Sequence, residues 1–330
     1  MSEPKALSAL QRLRYAAESA VFFPFMGFFQ LIGIDAASAI GGFIGRHIFY
    51  RLPVTDTAWQ NLRAAYPGMK RAEIEAIVRE MCDNLGRVTA EYPHLGKLYI
   101  DGPKRRVELV GAEHLDAAMA AGKGMMVVSG HFANWETMTA AAGQRGYEGL
   151  VYRPPNNPTV AAWISRQRGK LGPKEQIGKG VHGTRRIFSL LRHGQAVAML
   201  VDQKTAEGVP APFFGRDAMT TAAPASLALK LGAALLPVRA ERLKGAHFRV
   251  TIHPPIAFQP SGDAERDVLA LTAELNRRIE EMVRARPSQW LWIHRRWTTP
   301  RDIAKLEKKK KAQDLGGKGV GVEREGSSLS

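Results

Sequence analysis

One histidine stands where a strand is predicted to end and a helix to begin, a position typical of catalytic residues in α/β proteins. The apolar residues 124–128 predict a buried strand, and Ser129 and Gly130 break it immediately before His131. Residues 135–144, rich in alanine and methionine, predict the helix. His131 is therefore a candidate for acid–base chemistry at one edge of a sheet.

A carboxylate five positions later could orient this imidazole. In one continuous helix Glu136 and His131 would point about 140° apart, so they can meet only if His131 precedes the helix and Glu136 lies in its first turn. The carboxylate would then accept from one ring nitrogen, fix the tautomer and raise the basicity of the ring. The competing interpretation is that His131 caps the helix and Glu136 complements its dipole.

The composition predicts a folded, strongly basic protein. The 330 residues are 45% hydrophobic, with a formal net charge of +16 and a pI of about 10.1. Such a charge predicts an anionic partner: nucleic acid, an anionic membrane or an acidic protein. Residues 305–330, which we predict to be a disordered tail, contribute only +3, so most of the charge belongs to the rest of the chain.

The motifs that are missing exclude several kinds of site. Cys82 is the only cysteine, so an intramolecular disulfide is impossible. One cysteine and scattered histidines do not have zinc-site spacing, and we find no phosphate-binding glycine loop. We therefore expect neither a metal nor a nucleotide cofactor. The chain also lacks Gly-x-Ser-x-Gly, which argues against an α/β hydrolase.

The N-terminal segment, residues 1–50, predicts membrane attachment. A basic stretch precedes residues 20–34, which are almost wholly apolar, and residues 36–49 are again mostly apolar. Fifteen residues are short for a spanning helix, so we favour an uncleaved anchor that is tilted or re-entrant. A signal peptide and a pair of soluble core helices are the alternatives. Basic residues flank both ends, so the orientation is open.

The remaining elements predict an α/β domain over residues 51–304. Predicted strands alternate with predicted helices, which indicates a mixed, largely parallel central sheet flanked by helices. Residues 195–201 form one such strand, ending in Asp202 and Gln203, and residues 204–221 are predicted to be a loop. The second domain boundary falls before the basic tail.

Several motifs in order resemble one family. His131 and Glu136, in the setting of residues 129–136, resemble the His-x4-Asp/Glu motif of the glycerolipid acyltransferase superfamily, and the Asn-Trp-Glu form resembles the late acyltransferases of lipid A biosynthesis. Four further blocks support the resemblance: residues 152–158, 166–170, 201–221 and 292–297. The similarity covers roughly residues 10–300.

The resemblance implies a function. It implies transfer of a fatty acyl chain from an acyl carrier protein thioester to a hydroxyl of a lipid A precursor. His131 would be the general base, oriented by Glu136. Arg153 and Arg168 are candidates for binding phosphates of the acceptor or of phosphopantetheine, and Asp202 is a further candidate substrate-binding residue. No metal or other cofactor is needed, since the thioester is the activated substrate.

The expected partners follow from the same resemblance. They are an acyl carrier protein, a lipid A precursor and the anionic inner-membrane surface, with the catalytic domain facing the cytoplasm and no nucleic acid bound. Coenzyme A as donor, and another glycolipid or a lysophospholipid as acceptor, remain alternatives. A different class is a non-enzymatic basic protein that binds membrane or nucleic acid, which would explain the charge but not the His131 turn.

Overall fold

A single mixed sheet with helices around it makes up most of the chain. The computed structural model describes residues 7–143, 149–172, 175–178, 180–206 and 208–297. The helices are α1 (Ala9–Leu31), α2 (Ile34–His47), α3 (Thr55–Ala65), α4 (Arg71–Glu91), α5 (Ala112–Ala120), α6 (Glu136–Gly143), α7 (Pro158–Gly169), α8 (Val181–Arg192), α9 (Ala223–Leu231) and α10 (Ala264–Ala285). The strands are β1 (Val107–Val110), β2 (Met125–Ser129), β3 (Gly149–Tyr152), β4 (Glu175–Gly178), β5 (Ala196–Leu200), β6 (Val209–Phe213), β7 (Arg216–Thr220), β8 (Ala234–Lys244) and β9 (His247–Ile252). Short 3₁₀ helices span Phe49–Arg51, Tyr92–Lys97 and Pro287–Gln289.

The central sheet has seven strands in the order β1-β9-β8-β2-β5-β3-β4. Neighbouring strands are parallel except β8 and β9, which are antiparallel. This confirms the predicted fold class, a mixed, largely parallel sheet flanked by helices. The central strand β2 is buried along its whole length, as its unbroken apolar run predicts.

One edge of this sheet gathers the ends and the beginnings of strands that are far apart in sequence. Strands β2 and β5 are paired in parallel, with Ser129 opposite Leu200, so their carboxyl ends lie together. Strands β1 and β9 run opposite to β8, which is parallel to β2, so they begin at this same edge. We call it the carboxyl edge. Residues that follow β2 and β5 are therefore neighbours, and residues that precede β1 lie at the same edge, three strands away from β2.

Helices α2 and α4 touch along their backbones because glycines face each other. A Cβ added to Gly86 would lie 2.0 Å from the carbonyl oxygen of Gly41, and one added to Gly45 would lie 2.0 Å from that of Cys82. Neither helix could carry a larger side chain there without moving away. The predicted N-terminal segment is thus packed directly on the α/β domain.

The predicted membrane anchor is not confirmed as a spanning segment. Across the part of the chain that the structure describes, no helix combines the length and the apolarity needed to cross a bilayer. The apolar run at residues 20–34 is divided between α1, which contains Pro24, and the start of α2. Large apolar side chains on these two helices are nevertheless exposed: Leu10, Leu13, Val21, Phe28, Leu31 and Phe43.

The predicted loop at residues 204–221 contains a hairpin. Strands β6 and β7 pair antiparallel across Phe214 and Gly215, both of which have positive φ angles, of 53° and 68°. That pair of left-handed residues defines a tight two-residue turn. Strand β6 contains Pro210 and Pro212, and a two-stranded ribbon accommodates them because each of its strands has a free edge on which a missing N–H is tolerated. The predicted tail, residues 305–330, lies outside the described residues.

Candidate active site

His131 follows β2 and is held by a carboxylate from the neighbouring strand. Its Nδ1 lies 2.8 Å from Oδ1 of Asp202, and its backbone N–H donates to Oδ2 of the same residue at 2.7 Å. Asp202 comes two residues after β5, so the parallel pairing of β2 and β5 brings both residues to the carboxyl edge. Both the position and the rotation of the imidazole are thereby fixed.

Asp202 is buried and ionised. Its Oδ2 also accepts from the indole N–H of Trp290 at 2.8 Å. Burial by itself raises the pKa of a carboxyl, but here the charge and hydrogen bonds of His131, with the bond from Trp290, outweigh it and lower the pKa of Asp202 to about 2. A carboxylate that stays charged on Nδ1 stabilises an imidazolium when the ring takes up a proton.

The second ring nitrogen, Nε2, is the one available for chemistry. Because Nδ1–H donates to Asp202, Nε2 carries the lone pair, and the side-chain amide of Gln203 lies 3.4 Å from it. Two further rings flank the imidazole: Trp135 lies edge-on at 5.1 Å and His294 at 5.9 Å between ring centres. Desolvation and the neighbouring His131 hold the pKa of His294 below its ordinary value.

The predicted contact between Glu136 and His131 is wrong, because the carboxylate on the imidazole belongs to Asp202. Glu136 begins α6, and its side chain turns into the protein, where it is 1% exposed. It accepts from Arg168, from the hydroxyl of Tyr92 at 2.6 Å and from the indole of Trp135 at 3.1 Å. Glu136 therefore reaches His131 only indirectly, through the ring of Trp135.

Arg168 uses its guanidinium within the protein. Its Nε lies 2.9 Å from Oε2 of Glu136, and its Nη2 lies 2.6 Å from Oε1. Desolvation raises the pKa of Glu136, but the charge and hydrogen bonds of Arg168, with those of Tyr92 and Trp135, lower it overall. The predicted phosphate-binding role of Arg168 stays a prediction, and this geometry does not favour it, because the fork is already bonded.

Arg153 is placed differently. It follows Tyr152, the last residue of β3, at the carboxyl edge, and its side chain is exposed. Among the described residues it forms no ion pair. An exposed guanidinium at this edge is free to meet an anionic substrate, so the predicted role of Arg153 stands as a proposal. Asp202, predicted as a substrate-binding residue, contacts the imidazole instead.

Other donors near the site are already engaged. The backbone N–H of Phe132 donates to Gly130 at 2.8 Å, and that of Ala133 donates to the carbonyl of Gln289 at 2.7 Å. The C-terminal segment 290–297 contributes Trp290 and His294 to the site, but its Arg296 is buried and bonded to Thr220 and Asn276. Arg296 thus packs the hairpin against α10 and is not a surface charge.

The roles of Gln203 and Trp290 were not predicted from the sequence. Gln203 directly follows Asp202, so the strand end that supplied one candidate also contained the other. The link from Trp290 to Asp202 spans 88 positions and leaves no local pattern. Within the described residues, no group of three or more His, Cys, Asp or Glu side chains is placed to hold a metal ion.

The chain as a whole is similar to known acyltransferases. The family model of bacterial lipid A biosynthesis acyltransferases matches residues 3–299. The chain is 28% identical to the lipid A biosynthesis palmitoleoyltransferase of Escherichia coli K12 and 27% identical to the lauroyltransferase of that organism, each over 73% of this chain and 78% of the relative. It is 30% identical to a phosphatidylinositol mannoside acyltransferase of Mycobacterium tuberculosis over 62% of each chain. The chain therefore belongs to the bacterial lipid A biosynthesis acyltransferase family and is an acyltransferase.

Proposed function

We propose that this enzyme transfers a fatty acyl chain from a thioester to a hydroxyl of a lipid A precursor, with His131 as general base and Asp202 as the carboxylate that orients it. The observation that carries the proposal is the dyad of His131 and Asp202, whose Nε2 faces Gln203 at the carboxyl edge. Its occurrence in a chain of this family supports an alcohol as nucleophile.

The reaction needs one base and one acid in sequence. Nε2 of His131 removes the proton of the acceptor hydroxyl as the oxygen attacks the thioester carbonyl, a step worth about 10²–10⁴-fold. Asp202 stabilises the imidazolium that forms. When the tetrahedral intermediate collapses, the carbon–sulfur bond breaks and the proton on Nε2 passes to the leaving thiolate. The products are an ester and a free thiol, and the imidazole is neutral again.

Gln203 is the group that meets the charge on the carbonyl oxygen. Its amide has two N–H donors, and the contact with Nε2 at 3.4 Å is long enough to be displaced by a substrate hydroxyl. A cavity of about 200 Å³ opens beside it, lined by Ile187, Met199 and Thr221 among others. In this proposal the cavity binds part of the thioester substrate.

Acyl carrier protein is the proposed donor, with coenzyme A as the alternative. The support is electrostatic. A cavity of about 440 Å³ beside the beginnings of β1 and β9, at the carboxyl edge, is lined by the cationic or ionisable side chains of Lys97, Lys104, Arg105, Arg106 and His247. Arg106 of this set forms an ion pair with Asp35. An acidic protein or an anionic headgroup complements such a surface.

Attachment to the cytoplasmic face of the inner membrane is the proposed location. The exposed apolar side chains of α1 and α2 favour an interfacial position. Both helices are tied to the carboxyl edge: the side chain of Asn157, in the loop after β3, donates to the carbonyl of Tyr15, and Arg106 pairs with Asp35. Apolar side chains near the site suit a lipid acceptor.

Another glycolipid acceptor is the second candidate. It is favoured by the similarity to the mycobacterial relative, whose name describes acylation of phosphatidylinositol mannoside. A lysophospholipid is the third acceptor to test. A non-enzymatic basic protein would not need Asp202 bonded to His131.

Acyl transfer in detergent tests the proposal. The protein receives acyl carrier protein loaded with several chain lengths, or the acyl-coenzyme A esters, together with a tetra-acylated lipid A precursor, and mass spectrometry reads the products. We expect a gain of one acyl chain. His131→Ala and Asp202→Asn each lower the rate by about 10²–10⁴-fold, because the first removes the base and the second the charge that stabilises it.

Matched controls separate these losses from unfolding. His182→Ala removes an exposed histidine of α8, and Asp217→Asn neutralises an exposed aspartate of β7; both keep the wild-type rate. Wild-type rates in His131→Ala would exclude the imidazole as the base. A folded wild type that acylates no lipid A precursor with any donor would refute the lipid A assignment, and a mannosylated or lysophospholipid acceptor would follow.

A further inference from the structure

We call residues 130–135, between β2 and α6, the catalytic turn, because they include His131. A buried carboxylate outside the predicted motifs contacts this turn. Glu91, the last residue of α4, is 0% exposed. Its Oε1 accepts from the hydroxyl of Ser38 at 2.6 Å and from Nη1 of Arg242 at 2.5 Å. Its Oε2 accepts from the amide of Asn134 at 2.8 Å and from Nη2 of Arg242 at 3.1 Å. Helix α2, strand β8 and the turn before α6 therefore all donate hydrogen bonds to this one carboxylate.

Arg242 extends this contact to the backbone of the turn. Its Nε donates to Oδ1 of Asn84 at 2.9 Å, and the amide nitrogen of Asn84 donates to the carbonyl of Ala133 at 3.0 Å. The backbone N–H and C=O of Arg242 are both bonded to the side chain of Gln289, at 2.9 Å each. The carbonyl of Gln289 accepts from the N–H of Ala133. Both peptide groups that flank Ala133 are thus held, one through its N–H and the other through its C=O.

The turn itself needs to be held. Ala133 has a φ of 46°, in the left-handed region, which a residue with a Cβ adopts only where its surroundings force it. Asn134 is 0% exposed, and its Oδ1 accepts from the N–H of Glu136, which starts α6. His131 lies two residues before the left-handed alanine, so any relaxation of this turn displaces the imidazole.

We propose that Glu91 and Arg242 are positioning residues for His131, which rests on the proposed function of that histidine. They touch neither the imidazole nor a substrate. They fix the positions of Ala133 and Asn134. Because these residues follow His131 in the same turn, they also set the distance from Nε2 to the reacting hydroxyl. A buried ion pair that served stability alone would have no need of hydrogen bonds to the residues next to the base, whereas this pair reaches Asn134 directly and Ala133 through Asn84.

Arg242→Lys is the first test, because it keeps the positive charge and removes the planar guanidinium with its several N–H donors. A lysine can meet Glu91 or Asn84 but not both in the geometry of the guanidinium. We expect kcat to fall by about 10²-fold, the loss associated with a shift of about 1 Å at a reacting group, with KM within about twofold. The matched control is Arg239→Lys on the same strand, whose partner is Glu241 and which makes no hydrogen bond to the turn among the described residues; its kcat is unchanged.

A second readout does not depend on turnover. In wild type the Nδ1–H of His131, bonded to Asp202, gives a protected proton signal in NMR, assigned by its absence in His131→Ala. In Arg242→Lys this proton exchanges faster with water, and in Arg239→Lys it does not. If wild type transfers no acyl group at all, the proposed function fails, yet this comparison still decides whether Arg242 positions the ring.

Asn84→Ala covers the case in which Arg242→Lys does not fold. It leaves the ion pair of Glu91 and Arg242 intact and removes the two hydrogen bonds of Asn84, the one it accepts from Nε of Arg242 and the one it donates to Ala133. We expect kcat to fall about fivefold to tenfold in a chain that still folds, because the two charges stay paired. Wild-type kcat and a wild-type Nδ1–H signal in Asn84→Ala, and in Arg242→Lys where it folds, would overturn the proposal and leave a structural ion pair.

Discussion

At the scale of single residues, the proposed reactivity rests on an imidazole whose two nitrogens face different surroundings. Nδ1 faces a carboxylate that burial and three hydrogen bonds hold in place, and Nε2 faces an amide that can be displaced. The contact of Nδ1 with Asp202 favours the tautomer with the proton on Nδ1, so Nε2 is the nitrogen that acts as base in the proposed mechanism. The same division explains why Asp202 stays ionised despite complete burial.

Asp202 should make stability depend on pH in acid. Its pKa in the folded protein, about 2, is lower than its ordinary value of 3.8, so its contribution is fully present above about pH 4 and is lost as the pH falls towards 2. We expect the unfolding free energy of wild type to fall by about 2 kcal/mol more than that of Asp202→Asn over this interval. Denaturant unfolding at pH 5 and pH 2.5 measures this difference. An equal loss of unfolding free energy in the two proteins between these pH values would contradict the prediction.

The buried pair of Glu136 and Arg168 should matter through stability before chemistry. Glu136→Leu leaves the guanidinium of Arg168 buried without a counter-charge, which costs about 3–5 kcal/mol. The double variant Glu136→Leu, Arg168→Met removes both charges and recovers most of that loss. Thermal unfolding of the two variants provides the comparison. If the double variant were as unstable as the single one, the pair would not be the cause.

From the sequence we predicted a carboxylate on the imidazole of His131, but we assigned it to the wrong residue. The spacing of the two residues in the sequence is compatible with a contact between Glu136 and His131. Spacing alone, however, does not determine in which direction a side chain points. The true partner, Asp202, is 71 positions away, and its proximity depends on β2 and β5 being neighbours in the sheet. Strand order is a property of the whole chain and is not contained in any local pattern.

At the scale of elements, the contact of α2 with α4 sets how closely the N-terminal helices approach the domain. Gly41 and Gly45 of α2 lie against Gly86 and Cys82 of α4 with backbone in contact. Ser38, one turn earlier in α2, donates to Glu91 at the end of α4. The approach allowed by the glycines therefore also brings α2 within hydrogen-bonding distance of the residues beneath the catalytic turn.

Gly86→Ala should separate these two helices. Its Cβ would meet backbone that cannot rotate away, so we expect a loss of about 1–3 kcal/mol or more in the unfolding free energy. Burial raises the pKa of Cys82 to about 11 and hides its thiol, so thiol labelling reports separation directly and should be faster in the variant. Gly27→Ala is the control, because no atom lies within 4 Å of the added Cβ. Equal labelling rates would argue against the close contact.

Most elements could be predicted from hydrophobic periodicity, and the exceptions have physical reasons. Strand β4 is four residues at the edge of the sheet with only one buried side chain, so it lacks an apolar run. The β6–β7 hairpin contains prolines that ordinarily exclude a central strand. By contrast, β2 was recognisable because both of its faces are covered.

At the scale of the whole molecule, charge and apolar surface meet on one side. The cationic cavity at the beginnings of β1 and β9 lies near the turn between α1 and α2, since Arg106 pairs with Asp35 in the first turn of α2. Leu31, at the end of α1, is 87% exposed there. A surface that is both cationic and apolar suits an anionic bilayer better than water.

Vesicle binding tests this surface. We expect co-flotation with vesicles containing phosphatidylglycerol, weaker binding to pure phosphatidylcholine, and a decrease at high salt because exposed charges are screened. Leu31→Glu lowers the affinity about tenfold or more, since a buried leucine is worth about 1.5–3 kcal/mol. Leu269→Glu, on the exposed face of α10, has no effect. Binding that ignores both lipid charge and Leu31 would contradict the proposed orientation.

The dependence of the site on residues 289–291 has a consequence for the timing of activity. Gln289 holds Ala133, Trp290 holds Asp202, and the N–H of Leu291 donates to the carbonyl of His131. His131 and Asp202 both precede this segment, which follows α10 in the chain. A nascent chain that ends before Gln289 would therefore contain both residues without the contacts that hold them, and under the proposed mechanism it would not yet transfer an acyl group.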